Sequence, residues 1–276
     1  MPVSASAPKF ARQAALAHPR VRLFCLPYAG GAAPVFAGWG ERMKPDIEVW
    51  AAQPRARGMR FRETPLETVE AMVEEYFTAL RPSLDVPFAF YGHSLGGLLA
   101  FEITRRLHAE GLPLPEHLFI GASGPPHLGL IHEEIGNLPD AEFLEAIQQR
   151  YGGIPAAVLN EPELMQIFLP PLKADFVAYE RYNFRRVGQA HCPMTVFAGA
   201  ADSVLAPHLL EEWERHAAAG FAMETVPGDH FFLTESTDVV LRRIRKSLEE
   251  GSGRVGSGQV SSGHARPGAL AGLQNS

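Results

Sequence analysis

The sequence predicts an α/β chain: a mostly parallel sheet with helices on both faces and an inserted helical lid. Three observations carry this. Short apolar, strand-like runs recur at Val21–Leu26, Ile47–Ala52, Val86–Tyr91, His117–Ala122, Thr195–Ala200 and Phe221–Val226. Segments with helical spacing alternate with them, and strands alternating with helices imply parallel pairing with ligands at the carboxyl ends of the strands. Between Ser123 and His191 that rhythm breaks, leaving helical patterns with no clear strand.

Residues 1–20, rich in Ala, Ser and Pro, read as a flexible N-terminal arm. The folded domain is expected to span 21–250, with the lid at about 125–190. Residues 251–276, dominated by Gly and Ser, read as a disordered tail. Val21–Leu26 runs into Pro27-Tyr28-Ala29-Gly30-Gly31, a loop that must turn sharply, and a short helix then turns Val35, Phe36, Trp39 and Met43 inward. Residues 53–63 form a basic loop carrying Arg55, Arg57, Arg60 and Arg62.

Thr64-Pro65-Leu66-Glu67 reads as a capping box with Pro at the first helical position. The helix it starts places Val69, Met72, Val73, Phe77 and Leu80 on one face, and Pro82 closes it. In the insertion, Asp140 to Arg150 is one helix, and Glu163 to Tyr182 gives further helix interrupted by Pro170-Pro171. Such a segment is either extra core packing or a lid over a site. Its departure from the sheet beside the Val86–Tyr91 strand favours the lid.

Composition excludes several classes. With 276 residues and a net charge of −6 there is no domain-wide basic field for nucleic acid. Cys25 and Cys192 are too few and too far apart for a disulfide framework, and no Cys/His spacing suits a metal; neither metal nor cofactor is expected. No signal-like apolar segment and no run long enough for a membrane helix is present, so the cytoplasm, and a monomer, are the expectations.

The stretch with chemistry is the strand Val86–Tyr91, then Gly92-His93-Ser94-Leu95-Gly96, then a helical pattern from Leu98 to Ala109. Strand, G-x-S-x-G, helix is the context of a nucleophile elbow, which presents a serine hydroxyl at the carboxyl edge of a sheet. A hydroxyl is a poor nucleophile until a base takes its proton, and the base needs a carboxylate to set its tautomer. The chain order Ser, acid, His of this α/β-hydrolase arrangement selects Asp202, after the strand ending at Ala200, and His230, after the strand ending at Val226. Asp229 adjoins His230 and reads as a turn residue. His93 adjoins Ser94 and reads as a packing or hydrogen-bonding residue. Acyl transfer also needs an oxyanion hole, and the backbone N–H groups of Leu95 and Ala29 are the candidates.

The motifs LFCLPYAGGAAPVFAGW, RGMRFRE, YGHSLGGLLAFEITRRL, LPPLKADFVAYERY, CPMTVFAGAAD and PGDHFFL resemble those of the external, or type II, thioesterases of polyketide and nonribosomal peptide assembly lines. The resemblance covers roughly residues 22–248. It implies Ser94 as nucleophile, His230 as base, Asp202 as acid and a mobile lid beside an acyl chamber. It further implies an acyl group delivered on the phosphopantetheine arm of an acyl or peptidyl carrier protein. Tyr28 stands where this family usually has His, and Gln53-Pro54-Arg55-Ala56-Arg57 where it usually has QLPGR.

The leading expectation is a hydrolase that clears stalled or misprimed acyl groups from carriers. Release of medium-chain fatty acids, a generic carboxylesterase, and a non-catalytic partner protein on a hydrolase scaffold are the alternatives. The arginines of the basic loop are either a solvated surface or a contact for a phosphopantetheine phosphate or an acidic carrier face.

Overall fold

The computed structural model describes residues 8–152, 161–183 and 188–255. Parts of the expected arm (1–7), lid (153–160 and 184–187) and tail (256–276) lie outside the described residues.

Seven strands form one sheet: β1 (Phe10–Gln13), β2 (Val21–Leu26), β3 (Ile47–Ala52), β4 (Phe88–His93), β5 (His117–Gly121), β6 (Met194–Gly199) and β7 (Phe221–Val226). Their order is β1-β3-β2-β4-β5-β6-β7, parallel throughout except for the antiparallel edge strand β1. The central strands are buried on both faces because helices cover both. Phe24, Phe88 and Phe90 face one core, with α2 (Val69–Leu80) and α3 (Leu95–Ala109). Leu23, Ala89 and Tyr91 face the other, with α1 (Trp39–Met43) and a long C-terminal helix (Leu233–Val255). The chain leaves β2 toward β3 and returns on the other side as β4. The β2/β4 boundary is therefore the point where strand order reverses, and a crevice opens there at the carboxyl ends.

Three expected boundaries need correction. Phe10–Gln13 lies in the sheet, not in a flexible arm: Phe10 packs against Phe24 and Tyr76. The buried Glu48 carboxylate accepts from Arg12 (2.6 Å) and from the Leu16 N–H (3.0 Å), which pins the segment. The second helix begins at Val69, not Pro65. Thr68 is its cap, with Oγ1 accepting from the Ala71 N–H at 3.2 Å, a contact worth about 1 kcal/mol. The last helix runs to Val255, several residues into the stretch read as a tail.

The insertion between β5 and β6 contributes α4 (Asp140–Tyr151) and α5 (Pro162–Glu180). Pro170 and Pro171 do not interrupt α5. The carbonyls they leave without an intrahelical donor belong to Gln166 and Ile167, both exposed, where water replaces the missing N–H groups. Ile135, Phe143, Ile147, Leu169, Leu172 and Phe176 form a separate small core, which touches Ala29 of the loop after β2. This cap therefore sits on the crevice.

Candidate active site

Ser94 joins β4 to α3 with φ 52° and ψ −118°, a conformation that costs a residue with a Cβ on the order of 1–3 kcal/mol. The surroundings hold it there. Its N–H donates to Gly121 O (2.8 Å), and its carbonyl accepts from the Gly97 N–H (2.9 Å). A Cβ on Gly92 would lie 2.1 Å from Gly96 O, and one on Gly96 2.1 Å from Leu26 O. The two glycines of the motif thus let the turn, α3 and the end of β2 approach one another.

His230 follows β7, and its Nε2 lies 3.1 Å from Ser94 Oγ. Its Nδ1 lies 3.1 Å from Asp202 Oδ2, while Asp202 Oδ1 accepts from the N–H groups of Val204 (2.8 Å) and Leu205 (3.0 Å). A carboxylate only accepts, so Nδ1 carries the proton and Nε2 turns its lone pair to the Ser94 hydroxyl. Burial pushes the Asp202 carboxyl up. The hydrogen bond and charge of His230 and the two N–H donors outweigh that and hold it below its ordinary value. The three residues selected from the sequence are therefore within hydrogen-bonding distance in a row.

The neighbours divide as the sequence suggested. Asp229 is exposed and accepts from the Phe231 N–H at 2.7 Å, a turn contact away from the row. His93 is fully buried, with Nε2 2.7 Å from the His230 carbonyl and Nδ1 3.1 Å from Tyr91 Oη. The carbonyl requires a proton on Nε2, so Nδ1 accepts from the tyrosine. Desolvation and the nearby His230 push its pKa down to about 3. His93 is thus a neutral strut under the loop that carries His230. Tyr28 packs edge-on against His93 and Phe231, with ring centroids 5.7 and 4.9 Å away.

A cavity of about 550 Å³ opens at Ser94. Ala29, Leu95 and His230 border it on the sheet side, and Ile147, Tyr151, Phe168, Leu172 and Phe176 of the cap close it with apolar surface. Two cap residues that the sequence reading did not single out reach the site or the loop that borders it. The Tyr151 ring lies 5.3 Å from that of His230. Buried Asp175 accepts from the Gly30 N–H at 2.8 Å. Asp175 lies inside the LPPLKADFVAYERY motif, which was its only signal; Tyr151 had none, since its contact is purely tertiary.

The basic loop is not a uniform charged surface. Arg55 pairs with Glu75 (2.5 Å) and Arg57 with Asp175 (2.6 Å). Arg60 is buried between Glu63 (2.6 Å) and Glu75 (2.8 Å). These three guanidiniums neutralise internal carboxylates and hold the loop against α2 and α5. Arg62 is exposed, over the ring of exposed Phe61.

The thioesterase-domain family model matches residues 21–248. The chain belongs to the thioesterase-domain family. Thioesterases are thioester hydrolases, and so is this chain. Gramicidin S biosynthesis protein GrsT of Aneurinibacillus migulanus is 35% identical, over 83% of this chain and 89% of the relative. The type II thioesterase BorB from the borrelidin biosynthetic cluster is 32% identical with a TM-score of 0.77, covering 86% of this thioesterase and 96% of that chain. ClbQ from the colibactin NRPS/PKS pathway is 30% identical with a TM-score of 0.79, over 84% and 98%. Among the described residues of this thioesterase, no group of three or more His, Cys, Asp or Glu could hold a metal ion. No described helix is long and apolar enough to cross a membrane.

Proposed function

We propose that this thioesterase removes acyl groups from the phosphopantetheine arms of acyl or peptidyl carrier proteins, editing stalled or misprimed polyketide or nonribosomal peptide assembly lines. The observation that carries the reading is the Ser94–His230–Asp202 row opening into an apolar cavity. Its relatives' names, which point to gramicidin S, borrelidin and colibactin biosynthesis, supply the setting.

In this reading His230 Nε2 takes the Ser94 proton as Oγ attacks the thioester carbonyl carbon. The N–H groups of Leu95 and Ala29 receive the developing oxyanion. Leu95 is the first residue of α3, where the N–H has no intrahelical acceptor. In the other loop, Gly30 and Gly31 already donate to Asp175 and to Tyr28 O, which leaves the Ala29 N–H. Collapse of the intermediate expels the pantetheine thiolate, protonated by His230. Water then attacks the acyl-serine by the same route, with His230 as base, and releases the acid. Asp202 holds the imidazole tautomer and balances the imidazolium in both halves. The cap acts as the lid that shelters the acyl-enzyme.

The test compares one acyl group on a carrier protein, on coenzyme A and on a simple oxygen ester. The carrier thioester should have the highest kcat/KM, and Ser94→Ala should lose at least about 10⁴-fold in kcat on every substrate. Equal efficiency on all three would leave a generic esterase.

A further inference from the structure

Gly30 and Asp175 tie the loop after β2 to the cap, and this contact has no part in the proton relay. Tyr28, Ala29, Gly30 and Gly31 form a β-turn closed by the Gly31 N–H on Tyr28 O at 2.9 Å. Gly30, its third residue, has φ +78°, the value that defines a type II turn and calls for glycine. Its N–H does not point to water: it donates to Asp175 Oδ2 on α5. The same oxygen accepts from Arg57 Nη2 at 2.6 Å, and Arg57 also donates to Pro171 O at 2.8 Å. One turn before Asp175, Leu172 lies directly over Gly30, where a Cβ would meet its Cδ1 at 2.7 Å.

We propose that Asp175 is a positioning residue for thioester hydrolysis: from the cap it anchors the Tyr28–Gly31 turn through the Gly30 N–H, so that the Ala29 N–H is held in place as oxyanion donor, with Arg57 in turn fixing the carboxylate. The turn hydrogen bond holds one side of Ala29 and Asp175 holds the other. With the carboxylate gone, the Gly30 N–H loses its tie to α5, and the turn that carries Ala29 is free to shift against the Ser94 end of the site. The sheet supplies the nucleophile, base and acid without the cap, whereas the second oxyanion donor is in place only when α5 is seated. Binding that seats the cap therefore also completes the site.

The inference rests on the Ser94–His230–Asp202 reading, and the test separates the two. Hydrolysis of an acyl-coenzyme A is measured for Asp175→Ala, Asp175→Asn and the double variant Arg57→Met/Asp175→Ala. Asp175→Ala should lose about 10²-fold in kcat, the scale of a small misplacement in an active site, with KM unchanged. Inhibition by a trifluoromethyl ketone analogue, whose adduct carries an oxyanion, should weaken by the same factor. Binding of a non-hydrolysable thioether analogue, which makes no oxyanion, should not change. Asp175→Asn keeps an acceptor for Gly30 and should recover most of the rate. The double variant leaves no unpaired buried charge, so it should regain the wild-type Tm and remain slow. Recovery of kcat together with Tm in the double variant would overturn the proposal and make Asp175 a structural ion-pair partner. Wild-type kcat and ketone affinity in Asp175→Ala would overturn it as well. Retained turnover in Ser94→Ala would instead sink the reading beneath it.

Discussion

Ser94, Asp202 and His230 come from three strand ends of one sheet, whereas from two cap helices with a core of their own Tyr151 reaches the same cavity and Asp175 the loop that borders it. On the sheet side each group is tied by backbone: Ser94 through Gly121 and Gly97, Asp202 through Val204 and Leu205, His230 through His93. On the cap side the ties are side-chain contacts, an aromatic edge and one shared carboxylate. Backbone bonds to a buried parallel sheet break only when the sheet does. A cap held mainly by side chains, among them the Arg57–Asp175 and Arg181–Glu67 ion pairs and the Tyr182–Glu102 hydrogen bond, is the part expected to open before the sheet does. In the proposed reading the chemistry is built on the backbone-tied sheet, and shelter and substrate fit on the side-chain-tied cap.

The sharpest way to break this contrast lies on the sheet side. Asp202→Asn should cost about 10⁴-fold in kcat by favouring the wrong imidazole tautomer, while Asp229→Asn leaves kcat nearly untouched. A crippled Asp229→Asn enzyme beside a mild Asp202→Asn enzyme would move the acid to the turn.

On the cap side, Phe143 is fully buried in the cap core. Phe143→Ala should cost the cap about 3 kcal/mol. Hydrogen exchange should then speed up across α4 and α5 but not in β4–β6. Equal acceleration in both regions would show the cap and sheet to be one cooperative unit.

A smaller effect sharpens the sheet side. The His93 pKa falls from its ordinary 6.5 to about 3. Between those values the unfolded chain binds a proton there that the native chain refuses, so stability falls as pH drops through the window. The stability gap between wild type and His93→Gln, measured by urea unfolding, should shift by about 2 kcal/mol from pH 7 to pH 5. A pH-independent gap would mean that His93 takes up its proton in the fold as readily as in the unfolded chain, and would remove the neutral strut.

The smallest expected effect concerns Arg62, exposed in the basic loop. Arg62→Gln should lower kcat/KM on an acyl-carrier protein a few-fold at low salt, with the difference vanishing at high salt, and leave a simple ester unaffected. An equal loss on both substrates would assign Arg62 to the fold and not to a partner.

Local pattern was enough for what depends on neighbours in the chain. The apolar runs marked β2 to β6, since parallel strands covered on both faces are mostly apolar, and β7, half-buried at the edge, carried a weaker version of the same signal. The spacing of Val69 to Leu80 marked the buried face of α2. The flanking strand and helix turned Gly92–Gly96 into an elbow, and chain order then picked Asp202 and His230, which lie within 3.1 Å contacts of the row. What depended on distant partners could not be read. Phe10–Gln13 is a strand only because β3 and Glu48 receive it. The four arginines of the basic loop are equivalent as a string, yet three are buried or half-buried against Glu63, Glu75 and Asp175 and one faces solvent. Charge in a sequence gives no direction. Direction comes from which carboxylates the fold brings alongside, because a buried charge is stable only when it is paired. For the same reason the link from Asp175 to Gly30, 145 residues apart, exists only in the folded chain.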